Sequence, residues 1–171
     1  SGRISSEEIV SAHIEQIGAM NPHLNAVVRT EGHKALIQAR AADRHLSSRD
    51  AKLGPLHGVP FTVKDIFDTA GVVTTAGLQA LADNIPTKDA TVVARMRAAR
   101  AIMIGKTNSP PGGIGPASAN SMHVRPHNPP HLQPSTAGTR RRQAAAAPAA
   151  RTPTGPGTPA AAATLLPAPY S

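Results

Sequence analysis

Several side chains in this 171-residue sequence have the type and spacing to do chemistry. Lys64 closes a stretch in which Val59, Phe61 and Val63 alternate with Pro60, Thr62 and Lys64, the period of a β-strand. The alternation puts Lys64 on the face opposite the Val/Phe stripe, at or just past the strand end. Taken alone, a lysine there is a surface lysine. His123, His127 and His131 recur at i, i+4 and i+8, a spacing that presents imidazoles to a metal on one helix face. Pro126, Pro129 and Pro130 break that helix, so no metal is expected. Arg140, Arg141 and Arg142 form a cationic run that can meet phosphates through charge. The run has no interleaved aromatics for base stacking and no recognition motif, so it reads as solvated. There is no cysteine, which excludes a disulfide framework, a thiolate zinc site and a thiol nucleophile.

The elements that must position these residues are legible up to about Ser121. Ser5 followed by Glu8 is a capping box, and Val10, Ile14 and Ile17 fall on one face, predicting an amphipathic helix over Ser6–Met20 that ends at Asn21-Pro22. Leu24–Arg29 is β-prone, and Gly32 leads into an Ala-rich helix over His33–Leu46. Residues 50–58 read as a loop, Val59–Lys64 as a strand, and Val72–Thr75 as a short extended piece. Asp89 is placed to cap a helix over Ala90–Arg100, and Ala101–Ile104 reads as an apolar strand closed by Gly105. Helix and strand alternate, which argues for an α/β fold.

The same residues carry a family resemblance. The run Gly54-Pro55-Leu56-His57-Gly58-Val59-Pro60-Phe61-Thr62-Val63-Lys64-Asp65 is similar to the lysine motif of the amidase signature family. Asp68-Thr69-Ala70-Gly71, Thr74-Thr75-Ala76-Gly77, Asp89-Ala90-Thr91-Val92-Val93 and Gly105-Lys106-Thr107-Asn108 follow in that family's order. Ile4–Glu8 and Asn21–Val28 resemble its lead-in, so the resemblance covers residues 4 to 120. It implies a mixed sheet flanked by helices and hydrolysis or transfer at an amide bond. The substrates it implies are small-molecule amides, with no cofactor and no metal. It also implies a triad of nucleophilic serine, bridging serine after a cis peptide bond, and lysine, with Lys64 in the place of the base. The logic is that a serine hydroxyl needs a base, and a lysine serves only when burial keeps it neutral near pH 7. Glycine-rich turns supply backbone N–H groups to the oxyanion. His57 belongs to the motif's turn rather than acting as a general base.

The pattern breaks after Asn120. Ser135-Thr136-Ala137-Gly138 resembles the lead into the first serine motif, yet Thr139, Arg140, Arg141, Arg142 and Gln143 stand where Gly-Ser-Ser-Gly-Gly is expected. Arg140 takes the bridging serine's place, and Ala163 that of the nucleophile. Ser118 and Ser135 lie in no comparable glycine setting. From residue 121 to 171 there are ten prolines, twelve alanines, five arginines and no acid, so much of the +8 formal charge sits there. Such a segment buries too little apolar surface to order itself, and it is expected to be a disordered tail. Read this way, residues 1–120 are the N-terminal part of an amidase-signature domain and residues 121–171 a low-complexity tail. A shifted reading frame explains the tail, because glycine codons in GC-rich DNA read out of frame give alanine and arginine. The chain starts at Ser1 without an apolar leader and has no run able to span a bilayer, so a cytoplasmic fragment is expected. The expectation for function is an amidase by descent that is inactive as written. The alternative is a non-enzymatic remnant whose basic tail binds nucleic acid or another polyanion.

Overall fold

The computed structural model describes residues 4–48, 53–114 and Met122. Its elements run α1 (Ser6–Leu24), β1 (Val27–Thr30), α2 (Gly32–Leu46), β2 (Pro60–Lys64), α3 (Thr91–Ala98) and β3 (Ile102–Thr107), with single 3-10 turns at Gln79–Leu81 and Pro111–Gly113. The three strands form one mixed sheet in the order β1-β3-β2. β1 is antiparallel to β3, and β2 is parallel to it. A parallel pair needs a long crossover, which residues 65–101 supply with α3 inside it. This is the expected α/β class with helices against a mixed sheet.

The two faces of the sheet close separate apolar clusters. Val10 and Ile17 of α1, Ala35 and Ala39 of α2, and Val27, Ile102 and Ile104 of the sheet form one. Phe61, Val63 and Met103 of the sheet, Val93 of α3, Val72 and Ala101 form the other. Covered on both sides, β2 and β3 are buried along their whole length. This is the usual condition of parallel strands, and it replaces the half-exposed alternation of the sequence reading.

The capping box is present: Ser5 Oγ accepts from the Glu8 amide at 3.0 Å, and Glu8 Oε2 accepts from the Ser5 amide at 2.7 Å. α1 runs past the expected stop and contains Pro22. Proline there forfeits one bond to the carbonyl four residues back. The last turn survives because Asn25 adopts the left-handed conformation and its amide reaches the Asn21 carbonyl at 2.8 Å. The Asn21 side chain then donates to the Val27 carbonyl at 2.7 Å and accepts from its amide at 2.8 Å, so β1 starts at Val27 rather than Leu24.

Three further expectations are corrected. Gly105 does not end β3, which continues to Thr107. A Cβ at Gly105 would lie 2.5 Å from the Arg29 carbonyl oxygen, so glycine there permits close approach of β1. Asp89 caps no helix. The N-cap of α3 is Ala90, and the Asp89 carboxylate instead accepts from the Ala70 amide at 2.8 Å and from Arg97 Nη1 at 2.9 Å. Val72–Thr75 forms no strand, because the Val72 and Thr74 amides are committed to the carbonyls of Thr69 and Asn84. Only an isolated bridge joins Thr69 to Val72.

Candidate active site

Lys64 is the last residue of β2, beside Thr107 of β3 at the carboxyl ends of the parallel pair. Ligand sites of open α/β sheets gather at that end. Lys64 is 1% exposed, so the surface-lysine reading fails. The backbone after it is tightly fixed. The Asp65 amide donates to the Thr107 carbonyl at 2.9 Å, the Phe67 amide to the Lys64 carbonyl at 3.1 Å, and the Ala76 amide to the Asp65 carbonyl at 2.9 Å.

Asp65 is itself buried, and Oδ2 accepts from the Thr75 hydroxyl at 2.5 Å and the Thr75 amide at 3.2 Å. The Thr75 hydroxyl in turn accepts from the Gly77 amide at 3.1 Å. Ala76 holds φ 50°, a left-handed conformation for a residue with a Cβ. Its carbonyl accepts from the Gly112 amide at 2.8 Å, which ties the 74–77 turn to the segment after β3. Asn108 and Ser109, which follow β3, are also buried. The Asn108 amide donates to the Ala26 carbonyl at 3.0 Å, and Asn108 Oδ1 accepts from the Ser109 amide at 2.8 Å.

A second buried lysine goes beyond the sequence expectations. Lys106 sits one residue before Thr107, and strand alternation sends it to the opposite face of the sheet from Lys64. Its side chain is fully buried. Nζ donates to the Phe67 carbonyl at 2.6 Å, to Thr74 Oγ1 at 3.0 Å and to Thr69 Oγ1 at 3.1 Å, and lies 3.7 Å from Asp65 Oδ1. The two threonine hydroxyls donate their own protons to the Phe67 and Val72 carbonyls. Three acceptors thus take the three protons of an ammonium, with a carboxylate nearby. Burial lowers the lysine from its ordinary value to about 8, and Asp65 opposes part of that fall. The sequence signal was available: a buried apolar run, Ile102–Ile104, leads through Gly105 straight into Lys106.

His57 is not brought to Lys64. It precedes β2 at the other end of the strand, where Nε2 pairs with the Ala42 carbonyl oxygen at 3.0 Å. Arg140, Ala163, the three spaced histidines and the arginine run lie outside the described residues, as do Ser118 and Ser135. Among the described residues no group of three or more histidine, cysteine, aspartate or glutamate side chains could hold a metal ion. Nor is any described helix long and apolar enough to cross a membrane.

Comparison with known proteins places this arrangement. The chain matches the Amidase family over residues 8–170. It is 37% identical over 167 residues to an acylamidase of Rhodococcus erythropolis, covering 98% of this chain and 35% of that protein. It is 40% identical over 126 residues to a glutamyl-tRNA(Gln) amidotransferase subunit of Acidothermus cellulolyticus, covering 74% of this chain and 25% of that protein. Among solved structures, a bacterial aryl acylamidase of the amidase signature family superposes with a TM-score of 0.82 at 29% identity, over 90% of this chain and 32% of its own. The chain thus spans between 25% and 35% of the length of these curated relatives. The family match runs past the change of composition at Ser121.

Proposed function

Because the chain belongs to the amidase family, we propose that it derives from an enzyme that hydrolyses carbon–nitrogen bonds of small-molecule amides, with Lys64 in the place of the base. The observation that carries this reading is a buried lysine closing β2 at the carboxyl end of a parallel strand pair. A lysine takes a proton from a serine hydroxyl only when it is neutral, and burial disfavours the ammonium form. The reading assigns Lys106 and Asp65 to holding the turn that follows Lys64, not to proton transfer. It takes the setting of the enzyme as cytoplasmic.

As written, the chain does not hydrolyse amides. In sequence, Arg140 and Ala163 stand at the two serine positions, and neither side chain can attack a carbonyl or relay a proton. Removing the nucleophile from a serine hydrolase lowers turnover by about a millionfold. A panel of simple amides tests this directly: no turnover is expected from the whole chain, and turnover abolished by Lys64→Ala would overturn it. The role of Lys64 needs a frame that has both serines. A chimera carrying residues 4–114 in place of only the corresponding residues of the Rhodococcus acylamidase, with that enzyme's serines kept, is expected to lose about 10⁴-fold in turnover on Lys64→Ala. An active Lys64→Ala chimera would sink the assignment.

Two histories account for the missing serines. A shifted frame near Ser121 explains the alanine, proline and arginine runs, whereas a family match continuing to residue 170 favours divergence in frame. Translating the gene in its other two frames decides between them. A recovered Gly-Ser-Ser-Gly-Gly motif establishes the shift, and its absence establishes divergence.

A further inference from the structure

At the opposite end of the sheet from Lys64, a cavity of about 440 Å³ opens between α2, the C-terminal end of α3 and the turn before β2. Small-molecule sites run from about 300 to 1,000 Å³, and this cavity falls within that range. Arg97, Arg100, His45 and His57 line it, Ala42 and Ile102 add apolar surface, and among the described residues no acidic side chain lines it. The imidazoles of His45 and His57 stand 5.8 Å apart, tilted by 40°. From this we infer that the cavity is a binding site for a small organic anion, its carboxylate or phosphate held by Arg100, Arg97 and His45 and its apolar body lying against Ala42 and Ile102.

The two arginines are not fully engaged elsewhere. Asp89 meets Arg97 through one nitrogen, Nη1, and a guanidinium has five N–H donors. The carboxylate of Asp43, also nearby, is committed to the Ser6 and Glu7 amides at 2.7 and 2.9 Å. Among the described residues, the Arg100 side chain makes no hydrogen bond or ion pair. Arginines near a helix end commonly offset its exposed carbonyls. Here that work is already done: the Ala99 carbonyl accepts from Leu56 at 3.0 Å and the Arg100 carbonyl from Gly58 at 3.1 Å.

The backbone supplies an independent observation. Arg100 holds φ 69°, a position after a helix that glycine fills without strain. A strained residue persists where its surroundings or its side chain demand it. The guanidinium at this position lines the cavity.

The test uses the whole chain and follows histidine ring resonances by NMR while benzoate, phenyl phosphate or neutral benzamide is added. Saturable one-to-one shifts of His45 and His57 with either anion are expected, with His13, His23 and His33 unmoved and no response to benzamide. The preferred anion tells a carboxylate ligand from a phosphate ligand. Arg100→Gly removes the charge and relieves the backbone, so it keeps the fold, and it is expected to weaken binding about tenfold. Lys64→Ala should bind as the parent does, which separates this site from the amidase reading. Shifts that do not saturate, that move all histidines alike, or that persist unchanged in Arg100→Gly overturn the proposal.

Discussion

The two ends of the sheet handle positive charge in opposite ways. At the carboxyl end, Lys64 and Lys106 are taken almost wholly out of water, at 1% and 0% exposure. At the amino end, Arg97 and Arg100 line an open cavity. Lysine suits burial because its proton can leave when the charged form becomes expensive, whereas arginine stays charged and needs water or an anion. The carboxyl end is therefore rigid, with donors and acceptors matched through the Lys106–Asp65–Thr75–Gly77 chain. The amino end keeps capacity to bind. A lysine's chemistry depends on what is packed around it, and an arginine's on what is left open before it.

The largest effect that can break this contrast is expected at Lys106. Lys106→Met leaves Asp65 and the Phe67 carbonyl buried without their cation, and stripping one partner from a buried pair costs about 3–5 kcal/mol. Urea unfolding should show a matching fall, and Lys106→Met with Asp65→Asn should recover part of it. If Lys106→Met alone unfolds like the parent, the carboxyl end is not held by this network. Next in size is Gly105→Ala, whose Cβ would press on the Arg29 carbonyl oxygen. A loss of about 1–3 kcal/mol is expected, measured in the same way.

The pH dependence is smaller and has a definite sign. Lys106 has a lower proton affinity folded, near 8, than its ordinary value of 10.5. Below pH 8 both folded and unfolded chains carry its proton, and the burden of burying the charge is fully present. Between pH 8 and 10.5 the unfolded chain binds more protons, so stability rises with pH. The gain is on the order of 1–3 kcal/mol, read from urea midpoints across that window and absent in Lys106→Met. At the acid side, burial pushes Asp43 up, but the Glu7 and Ser6 amides outweigh it and hold the carboxyl below its usual 3.8. That contribution is lost as pH falls through the lowered value.

The smallest effect belongs to the amino end. Arg100→Gly relieves a left-handed residue and should raise stability by about 1 kcal/mol, a shift of a few degrees in Tm. An unchanged or lower Tm would mean that the Arg100 side chain stabilises the fold and does not merely line the cavity.

Much of the carboxyl end was legible in the sequence, and the amino end was not. The capping box, the α2 helix, the strand through Phe61 and Val63 and the place of Lys64 follow from local periodicity and the spaced motif. Local patterns failed where long-range partners decided the outcome. Pro22 signalled a stop, but the left-handed Asn25 closed one more turn, and the Asn21 side chain, bonded to Val27, delayed the start of β1. Asp89 had the chemistry of a cap, but Ala70, 19 residues away, took its carboxylate. The motif around Lys106 gives that lysine no role, because its threonine and carbonyl acceptors come from the loop after β2. The arginine and histidine cavity joins residues from α2, α3 and the turn before β2, and no spacing in sequence announces it.

The position of β3 in the sheet bears on how the chain emerges and folds. Among the described residues it is the central strand, yet it is the last of the three to be synthesised. Val27 pairs with Thr107 and Pro60 with Ile102, so among the described residues neither β1 nor β2 has a strand partner until the chain has grown through residues 102–107. Such non-local pairings slow folding, because loop closure precedes any reward in contacts. Until then α1 and α2 can pack only on each other, and the apolar faces of Phe61 and Val63 stay wet. The nascent chain is at its most vulnerable to self-association just before residue 107 becomes available.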